Sequence, residues 1–258
     1  MELIPGLYQI TGADSGPVYS DDYDCNCYLW EYEQGEFALF DAGAGRNVPE
    51  LLRRIDKLTG DVRRVRYLFL THHHADHIGG AAALRRETGA LTVASAHCAH
   101  LIEAGDEQGI GLEAARNAGG YPPDYRIEGC IIDRLAGDGE VWQLGCQKLW
   151  ILSTPGHCRG AISFLWDMSG KRILVSGDTV FQGGAISLLS LPDCSLSEYK
   201  ETIAKLDTMS IDALLPGHLG AILKRASGHI HKAKIEFDKL RIPISFYHLA
   251  TILGRNNL

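Results

Sequence analysis

The run His72-His73-His74-Ala75-Asp76-His77 directly follows the apolar stretch Tyr67–Thr71. Four imidazoles and a carboxylate within six residues, at the exit of a buried strand, predict a metal site. The first and third of these histidines, at i and i+2, can point the same way, while the carboxylate and the last histidine come from the following turn. One short segment can therefore supply two ligands to each of two metals. An expression tag would instead stand at a terminus, without an interposed Asp or a preceding strand pattern.

Length and composition suit an enzyme with one sizeable core. The chain has 258 residues, 45% of them hydrophobic, and we expect residues 1–258 to form a single domain. A net charge of -7 and a pI near 5.9 argue against an extended nucleic-acid surface, which needs clustered Lys and Arg. The seven cysteines form an odd set without a C-x-x-C pair, so no disulfide framework is expected.

The N-terminus predicts neither export nor membrane insertion. Residues Met1–Gly6 have no basic region and no apolar core of signal-peptide length. No stretch approaches the ~18 apolar residues of a membrane span. We therefore expect a cytoplasmic protein without a membrane partner, and the sequence leaves its oligomeric state open.

The order of β-like and helical patterns predicts an α/β fold. Strands are predicted at 6–10, 25–33, 36–41, 65–71, 90–96, 132–135, 140–144, 148–154, 161–166, 172–176 and 212–215. Helices are predicted at 47–58, 80–88, 195–209 and 229–240, with Asn47 and Ser195 as caps. The residues Asp167–Gly170 are predicted to turn a hairpin. The Gly- and Pro-rich stretch 97–130 is predicted to form short helices and a loop, either a lid over a site or an ordinary surface excursion.

Three further polar residues stand at predicted strand exits. Strand 148–154 is followed by Pro155-Gly156-His157, strand 172–176 by Gly177-Asp178, and strand 212–215 by Pro216-Gly217-His218. Singly, each would more often be a turn residue than a ligand. The repetition of the arrangement favours three more metal ligands.

This ordered set of motifs resembles the metallo-β-lactamase superfamily, together with the earlier Asp41-Ala42-Gly43. The resemblance covers nearly the whole chain and implies a four-layer αβ/βα sandwich with a metal site at one edge. By position it implies that His72, His74 and His157 bind a first metal. Asp76, His77 and His218 would bind a second, and Asp178 would bridge the two. Asp41 would hold a ligand or its loop in place, and His73 falls at a variable position.

The chemistry implied is hydrolysis of an activated acyl bond by metal-bound hydroxide. Two divalent ions, with zinc favoured and iron or manganese also suited to the ligands, would activate water and polarise the carbonyl. Asp76 could accept or relay the water proton. We therefore predict a dinuclear hydrolase of a small acyl substrate, with no nucleic-acid partner.

Differences between subgroups of the superfamily favour a thioester over a lactone. The sequence Ser176–Phe181 is similar to the glyoxalase II group of thioesterases. Zinc β-lactamases usually lack the bridging Asp, and many lactonases carry Tyr where Phe181 stands. Two glyoxalase II features are absent, since Gln182–Ala185 replaces a Cys-Gly-Arg signature and Ala161 an additional His. The tail after His218 is short for a glutathione-binding helical domain. Four basic residues there could hold an anionic substrate, although such residues more often form a solvated face: Lys224, Arg225, Lys232 and Lys234.

Other activities on the same ligand pattern stay open at this point. Persulfide dioxygenases use a similar His/Asp set around one iron, which makes a mononuclear oxidoreductase an alternative. A lactonase is another alternative. A catalytically silent binding protein is disfavoured by the full set of seven ligands. RNA-processing nucleases of the superfamily are disfavoured by the acidic balance of the chain.

Overall fold

A computed structural model describes residues 1–13 and 18–248. The chain divides into two compact units, each containing one β-sheet. The first unit comprises Met1–Ala136 and Leu144–Cys146, and the second comprises Gly137–Gln143 and the chain from Gln147 onward. Whether the units act as one domain, as the sequence analysis expects, stays a prediction.

The first unit contains a seven-stranded sheet whose strands follow chain order. The strands are β1 (Glu2–Ile4), β2 (Leu7–Gln9), β3 (Tyr28–Glu33), β4 (Glu36–Phe40), β5 (Val65–Phe69), β6 (Leu91–Ala94) and β7 (Arg134–Leu135). Strands β1 to β4 pair antiparallel as a meander, and β4 to β7 pair parallel. Because parallel strands end at the same edge of a sheet, the segments that follow β4 and β5 emerge side by side. Only β1 has no counterpart among the predicted strands.

Helices and one 3-10 turn connect the parallel strands of this unit. They are α1 (Val48–Thr59), a 3-10 turn (Val62–Arg64), α2 (Ala75–Ile78), α3 (Ala81–Thr88), α4 (Ala96–Ala104) and α5 (Leu112–Asn117). Helix α1 buries Leu51 and Ile55 at the predicted helical spacing and ends at Gly60, which has a left-handed backbone. Asn47 lies at its N-cap position, but the side chain makes no capping hydrogen bond, so the predicted cap is wrong in this respect.

The stretch 97–130 packs into the core of the first unit. Ile102 of α4 and Leu112 of α5 belong to its buried apolar cluster, together with Tyr125. The hydroxyl of Tyr125 donates a 2.6 Å hydrogen bond to the carbonyl of Ala44, in the loop after β4. The predicted short helices are confirmed, and a lid function stays a prediction.

The second unit contains a five-stranded sheet in the order β12-β11-β10-β9-β8. Its strands are β8 (Val141–Leu144), β9 (Gln147–Ser153), β10 (Ile162–Met168), β11 (Lys171–Gly177) and β12 (Ala213–Pro216). Strand β10 is antiparallel to both β9 and β11, and β12 is parallel to β11. Strands β9, β11 and β12 therefore run the same way and end at one edge of this sheet.

The hairpin between β10 and β11 is tighter than predicted. Asp167 pairs with Arg172 and Met168 with Lys171. Both residues, which the sequence analysis placed in the turn, therefore belong to the β-ladder. The turn is the dipeptide Ser169–Gly170, and both residues have positive φ (52° and 70°). Positive φ at both central residues is the geometry of the type I′ hairpin turn, which matches the twist of the flanking strands.

Two helices pack in the core of the second unit. Helix α6 (Leu196–Asp207) begins as predicted at Ser195, whose side chain accepts a hydrogen bond from the Glu198 amide. Helix α7 (Ala226–Asp238) begins three residues before the predicted His229. A 3-10 turn (Gln182–Gly184) precedes α6. Between 1–13 and 18–248, no helix combines the length and apolarity needed to span a membrane, and all seven cysteines are free thiols.

Candidate metal centre

The first unit presents the predicted ligand cluster at the edge where its parallel strands end. Asp41 follows β4, and Thr71 and His72 follow β5 by two and three residues. The Asp41 amide donates to the carbonyl of Phe69 at 2.8 Å, which ties the two strand exits together. The strand-exit position inferred from the sequence is confirmed.

The loop after β5 and the short helix α2 bring three of the cluster's imidazoles together. The ring centroids of His72 and His74 are 4.8 Å apart, and those of His72 and His77 are 4.0 Å apart. Nε2 of His77 is 3.5 Å from Oδ2 of Asp76, so the carboxylate faces the same place. The three histidines are buried, whereas the Asp76 side chain is 15% exposed to solvent. A six-residue segment therefore supplies four candidate metal ligands within this unit.

The buried side chain of Asp41 supports this cluster through hydrogen bonds to Thr71 and His77. It has a left-handed backbone (φ 61°), which Asp tolerates better than most residues, and it is almost fully buried. Its Oδ1 accepts the Thr71 amide at 2.8 Å, and its Oδ2 accepts the Thr71 hydroxyl at 2.9 Å. The same Oδ2 accepts Nδ1–H of His77 at 2.8 Å. These contacts match the supporting role that the resemblance implied for Asp41.

Glycines let helix α2 lie directly on the loop after β4. The Ala42 amide donates to the His77 carbonyl at 2.8 Å, and the Gly80 amide donates to Gly43 at 3.2 Å. A Cβ added at Gly79 would collide with the carbonyl oxygen of Ala44. Backbone therefore packs on backbone, and the helix that carries two of the candidate ligands is fixed in position.

The ring of His73 lies edge-on to that of His74, with the centroids 5.2 Å apart, and it also faces helix α4. The side chain is fully buried, and its Nδ1 is 3.4 Å from the sulfur of Cys98 in α4. Its ring is 5.9 Å from that of His97. The resemblance placed His73 at a variable position, and the structure buries its side chain beside Cys98.

Cys25 is a site neighbour that the sequence analysis did not single out. Ligand atoms of Cys25, Asp41 and His77 lie within 4.8 Å of one another. The sulfurs of Cys25 and Cys27 are 3.8 Å apart, and burial raises the pKa of the Cys25 thiol well above its usual range. Since Asp41 already accepts from His77, we interpret the protonated thiol as packing behind His77. The available signal was the C-x-C spacing, which puts both sulfurs on one side of an extended segment.

The second unit presents the other three candidate ligands at the edge where its three like-directed strands end. His157 follows β9, Asp178 follows β11, and His218 follows β12. Oδ2 of Asp178 is 3.6 Å from Nε2 of His157 and 3.5 Å from Nε2 of His218. The structure therefore brings these three residues together, with one carboxylate oxygen between two imidazoles.

A buried tyrosine supports this second set. The Ser187 carbonyl accepts Nδ1–H of His157 at 2.8 Å and the hydroxyl of Tyr199 at 3.0 Å. The Tyr199 hydroxyl is also 3.0 Å from the carbonyl of Asp178. Burial raises the pKa of Tyr199 well above its usual range, so it stays a neutral donor. The sequence alone could not identify this supporting role, because by pattern Tyr199 is only one of the residues on the apolar face of α6.

Aromatic rings surround His218. Its ring centroid is 5.3 Å from that of Phe246 and 6.4 Å from that of Phe181. The two phenylalanines are 4.9 Å apart and form a small buried cluster with Ala185 and Leu219. The residue that stands where lactonases often have Tyr is thus part of an apolar support for a candidate ligand.

The hydrogen bonds of three imidazoles indicate which nitrogen each of them offers to a metal. Nδ1 of His77 donates to a carboxylate, and Nδ1 of His157 donates to a carbonyl. The Thr71 hydroxyl gives its proton to Asp41, so it accepts from Nδ1 of His72 at 3.0 Å. In all three residues Nε2 is then the unprotonated ligand nitrogen, a pattern common to metal-binding histidines. Both sets of residues fit divalent metal ions.

Comparisons with known proteins agree with this geometry. The family model described as the metallo-beta-lactamase superfamily matches residues 20–218. An "Acyl-coenzyme A thioesterase MBLAC2" of Gallus gallus is 31% identical over 236 residues, which cover 84% of this chain and 82% of that protein. A "Hydroxyacylglutathione hydrolase" of Rhodobacter capsulatus is 29% identical over 138 residues, covering 54% of this chain and 43% of that protein.

Solved structures agree on the fold. A metallo-beta-lactamase of Cronobacter sakazakii with a HARLDQ motif superposes with a TM-score of 0.71 at 21% identity, covering 93% of each chain. The predicted fold class is confirmed, with mixed sheets and helices consistent with an αβ/βα sandwich. The predicted enzyme class, a metal-dependent hydrolase related to glyoxalase II, is confirmed at that level.

Proposed function

Because the chain belongs to the metallo-β-lactamase superfamily, we propose that it is a dinuclear metal hydrolase of an activated acyl bond, with a thioester as the preferred substrate. The observation that carries the proposal is the place of Asp178. One oxygen of its carboxylate lies between Nε2 of His157 and Nε2 of His218. A carboxylate shared by two imidazoles in this way suits a ligand that bridges two ions.

The ligand assignment follows the family pattern. In this proposal His72, His74 and His157 would hold the first ion. A second group would hold the other ion, namely Asp76, His77 and His218. Asp178 would be the ligand shared by both. Zinc is the favoured metal, and iron or manganese suits the same imidazole and carboxylate donors.

The two ions would supply Lewis acidity, polarising the acyl carbonyl and lowering the pKa of water to about 7. The chain's own residues then orient and move protons. Asp76, the most exposed of the candidate carboxylate ligands, would accept the proton of the attacking water. Asp41 keeps His77 in the tautomer that offers Nε2, and Tyr199 fixes the backbone carbonyl of Asp178.

Two observations support a thioester over a lactone. The curated relatives are named for hydrolysis of acyl-coenzyme A and hydroxyacylglutathione, and both of these are thioesters. The ring of Phe181 packs on Phe246 and carries no hydroxyl with which to hold a lactone. We therefore propose a small-molecule thioester substrate.

The test joins metal analysis to a substrate screen. The metal content of the protein is measured as purified. A zinc-loaded sample is then offered acyl thioesters, acyl-homoserine lactones, β-lactams and phosphodiesters in parallel. We expect two ions per chain and turnover of thioesters. One iron per chain with oxygen consumption would overturn the hydrolase, and turnover of lactones alone would overturn the thioester assignment.

Two variants sharpen this test. Asp178→Asn removes the proposed bridge, and we expect it to lower the metal content and abolish hydrolysis. The matched control is Asp167→Asn in the same unit, whose carboxylate pairs with Arg172 on the exposed hairpin. Full metal content in Asp178→Asn would contradict the bridging role.

A further inference from the structure

A pocket of about 320 Å³ lies in the second unit and has no part in the proposed ligand set. Residues from three segments line it: Gly183 and Gly184, then Lys232, Ile235 and Glu236 of α7, then Pro243 and Ile244. The volume is at the lower end of the range for small-molecule sites. Its wall joins apolar side chains, bare glycine backbone and two charged groups.

Only one of the two charges in this pocket is available to a ligand. Glu236 is engaged by a bidentate pair with Arg241, with both N–O distances at 2.7 Å. Across the described residues 1–13 and 18–248, Lys232 has no ion pair and no side-chain hydrogen bond. By contrast, Lys234, two residues further along α7, forms an ion pair with Asp238 at 2.5 Å. Of the four basic residues that the sequence offered for an anionic substrate, Lys232 is the one that lines this pocket.

One wall of the pocket requires glycine, because the backbone there leaves no room for a side chain. Gly184 has positive φ (81°), and a Cβ there would lie 2.7 Å from the backbone nitrogen of Ala233. The Gly183 amide donates to Nδ1 of His229 at 2.7 Å. Burial and the charge of Lys232 lower the pKa of His229, which keeps that imidazole neutral as an acceptor. Among the described residues that line the pocket, Lys232 is therefore the one that carries a positive charge.

Backbone pairing connects the pocket to the surroundings of His218. The Ile186 amide donates to the carbonyl of Ile244 at 3.0 Å, and the Phe246 amide donates to the carbonyl of Ile186 at 2.8 Å. The same segment thus places Ile244 in the pocket and the Phe246 ring 5.3 Å from the ring of His218. The segment that lines the pocket at Ile244 therefore also contacts a candidate metal ligand through Phe246.

We propose that this pocket binds the thiol-carrier part of the acyl thioester, through an anionic group on Lys232 and an apolar stretch on Ile235, Pro243 and Ile244. The inference rests on the proposed thioester hydrolysis and names the carrier class that it would accept. A carboxylate or a phosphate satisfies the same chemistry, because an ammonium group attracts either as a point charge.

The experiment compares carriers that differ in charge. The zinc-loaded protein and its Lys232→Met variant are assayed with one acyl group on coenzyme A, on glutathione and on the neutral carrier N-acetylcysteamine. We expect Lys232→Met to raise KM for an anionic carrier by up to about fivefold, the range of one exposed charge pair, with kcat unchanged. The neutral thioester should show no change. Coenzyme A and glutathione distinguish phosphate from carboxylate as the anion.

Lys234→Met is the matched control, because it removes a lysine from the same helix that is already paired with Asp238. Equal losses toward charged and neutral carriers, or no loss with Lys232→Met, would overturn the proposed subsite. If no thioester is hydrolysed, the proposed function fails separately. Calorimetric binding of free coenzyme A and of glutathione to both variants then still tests the pocket, and equal affinity of each for the wild type and Lys232→Met would refute it.

Discussion

Replacing Asp41 by Asn tests whether the buried carboxylate sets the tautomer of His77. The substitution keeps the side-chain shape, and Asn tolerates the left-handed backbone of this position. Asp41 accepts three hydrogen bonds, two from Thr71 and one from His77. Asn offers one acceptor oxygen and turns the other position into a donor, so one N–H or O–H at the site must face another donor.

The geometry gives the size of the effect. With its oxygen kept on the Thr71 amide, the Asn amide nitrogen faces the Thr71 hydroxyl and Nδ1–H of His77. The hydroxyl can rotate and accept, but the imidazole can accept only by moving its proton to Nε2. About one charge-assisted hydrogen bond is lost, which corresponds to roughly 1.5–3 kcal/mol of unfolding free energy. The moved proton also blocks the nitrogen proposed to bind the second metal.

Metal affinity is the decisive measurement for this variant. We expect Asp41→Asn to weaken binding of one of the two ions by about 10- to 100-fold, as is typical when the partner of a metal-binding histidine is removed. Competition with a coloured chelator measures the affinity, and urea unfolding measures the stability. The control is Asp24→Asn, a buried carboxylate of the same unit that accepts from Ser20 and the Ala44 amide. Wild-type affinity for both ions in Asp41→Asn would refute the argument.

Two further predictions concern the first unit. Arg85 is the main cause that holds the pKa of Asp133 well below its usual range, with the Thr92 amide and hydroxyl as further donors. The folded state therefore gains stability above the ordinary pKa of Asp and loses it as the pH falls from about 5 toward the lowered value. Asp133→Asn should lower Tm at neutral pH, and the gap to wild type should narrow in acid; a gap independent of pH would contradict this. Gly79→Ala should cost about 1–3 kcal/mol by overpacking against the Ala44 carbonyl and should lower metal content, whereas Gly60→Ala, with open space around its Cβ, should leave metal content unchanged. Unchanged metal content in Gly79→Ala would show that metal binding does not require the close packing of α2 on the loop after β4.

The agreement between sequence and structure is best where a pattern is local. The spacing of apolar residues predicted α1. The glycine and polar residues that follow each apolar run predicted where β9, β11 and β12 end. The errors lie where a local signal was ambiguous. Asp167 and Met168 looked like turn residues, but cross-strand pairing with Arg172 and Lys171 extended the ladder and left a two-residue turn. The start of α7 was missed because Ala226 and Ser227 give no strong helical pattern.

The sequence by itself determined the identity of the candidate ligands, since histidines and carboxylates at strand exits carry their chemistry wherever the strands lie. It also indicated the superfamily and a role for Asp41. Only the tertiary structure decided which groups support those ligands. Tyr199, Cys25 and Phe246 are distant in sequence from the candidate ligands beside which they lie, and no periodicity in the sequence reports such contacts. The same reason applies to Lys232, because its difference from Lys234 depends on which carboxylates the folded chain brings within reach.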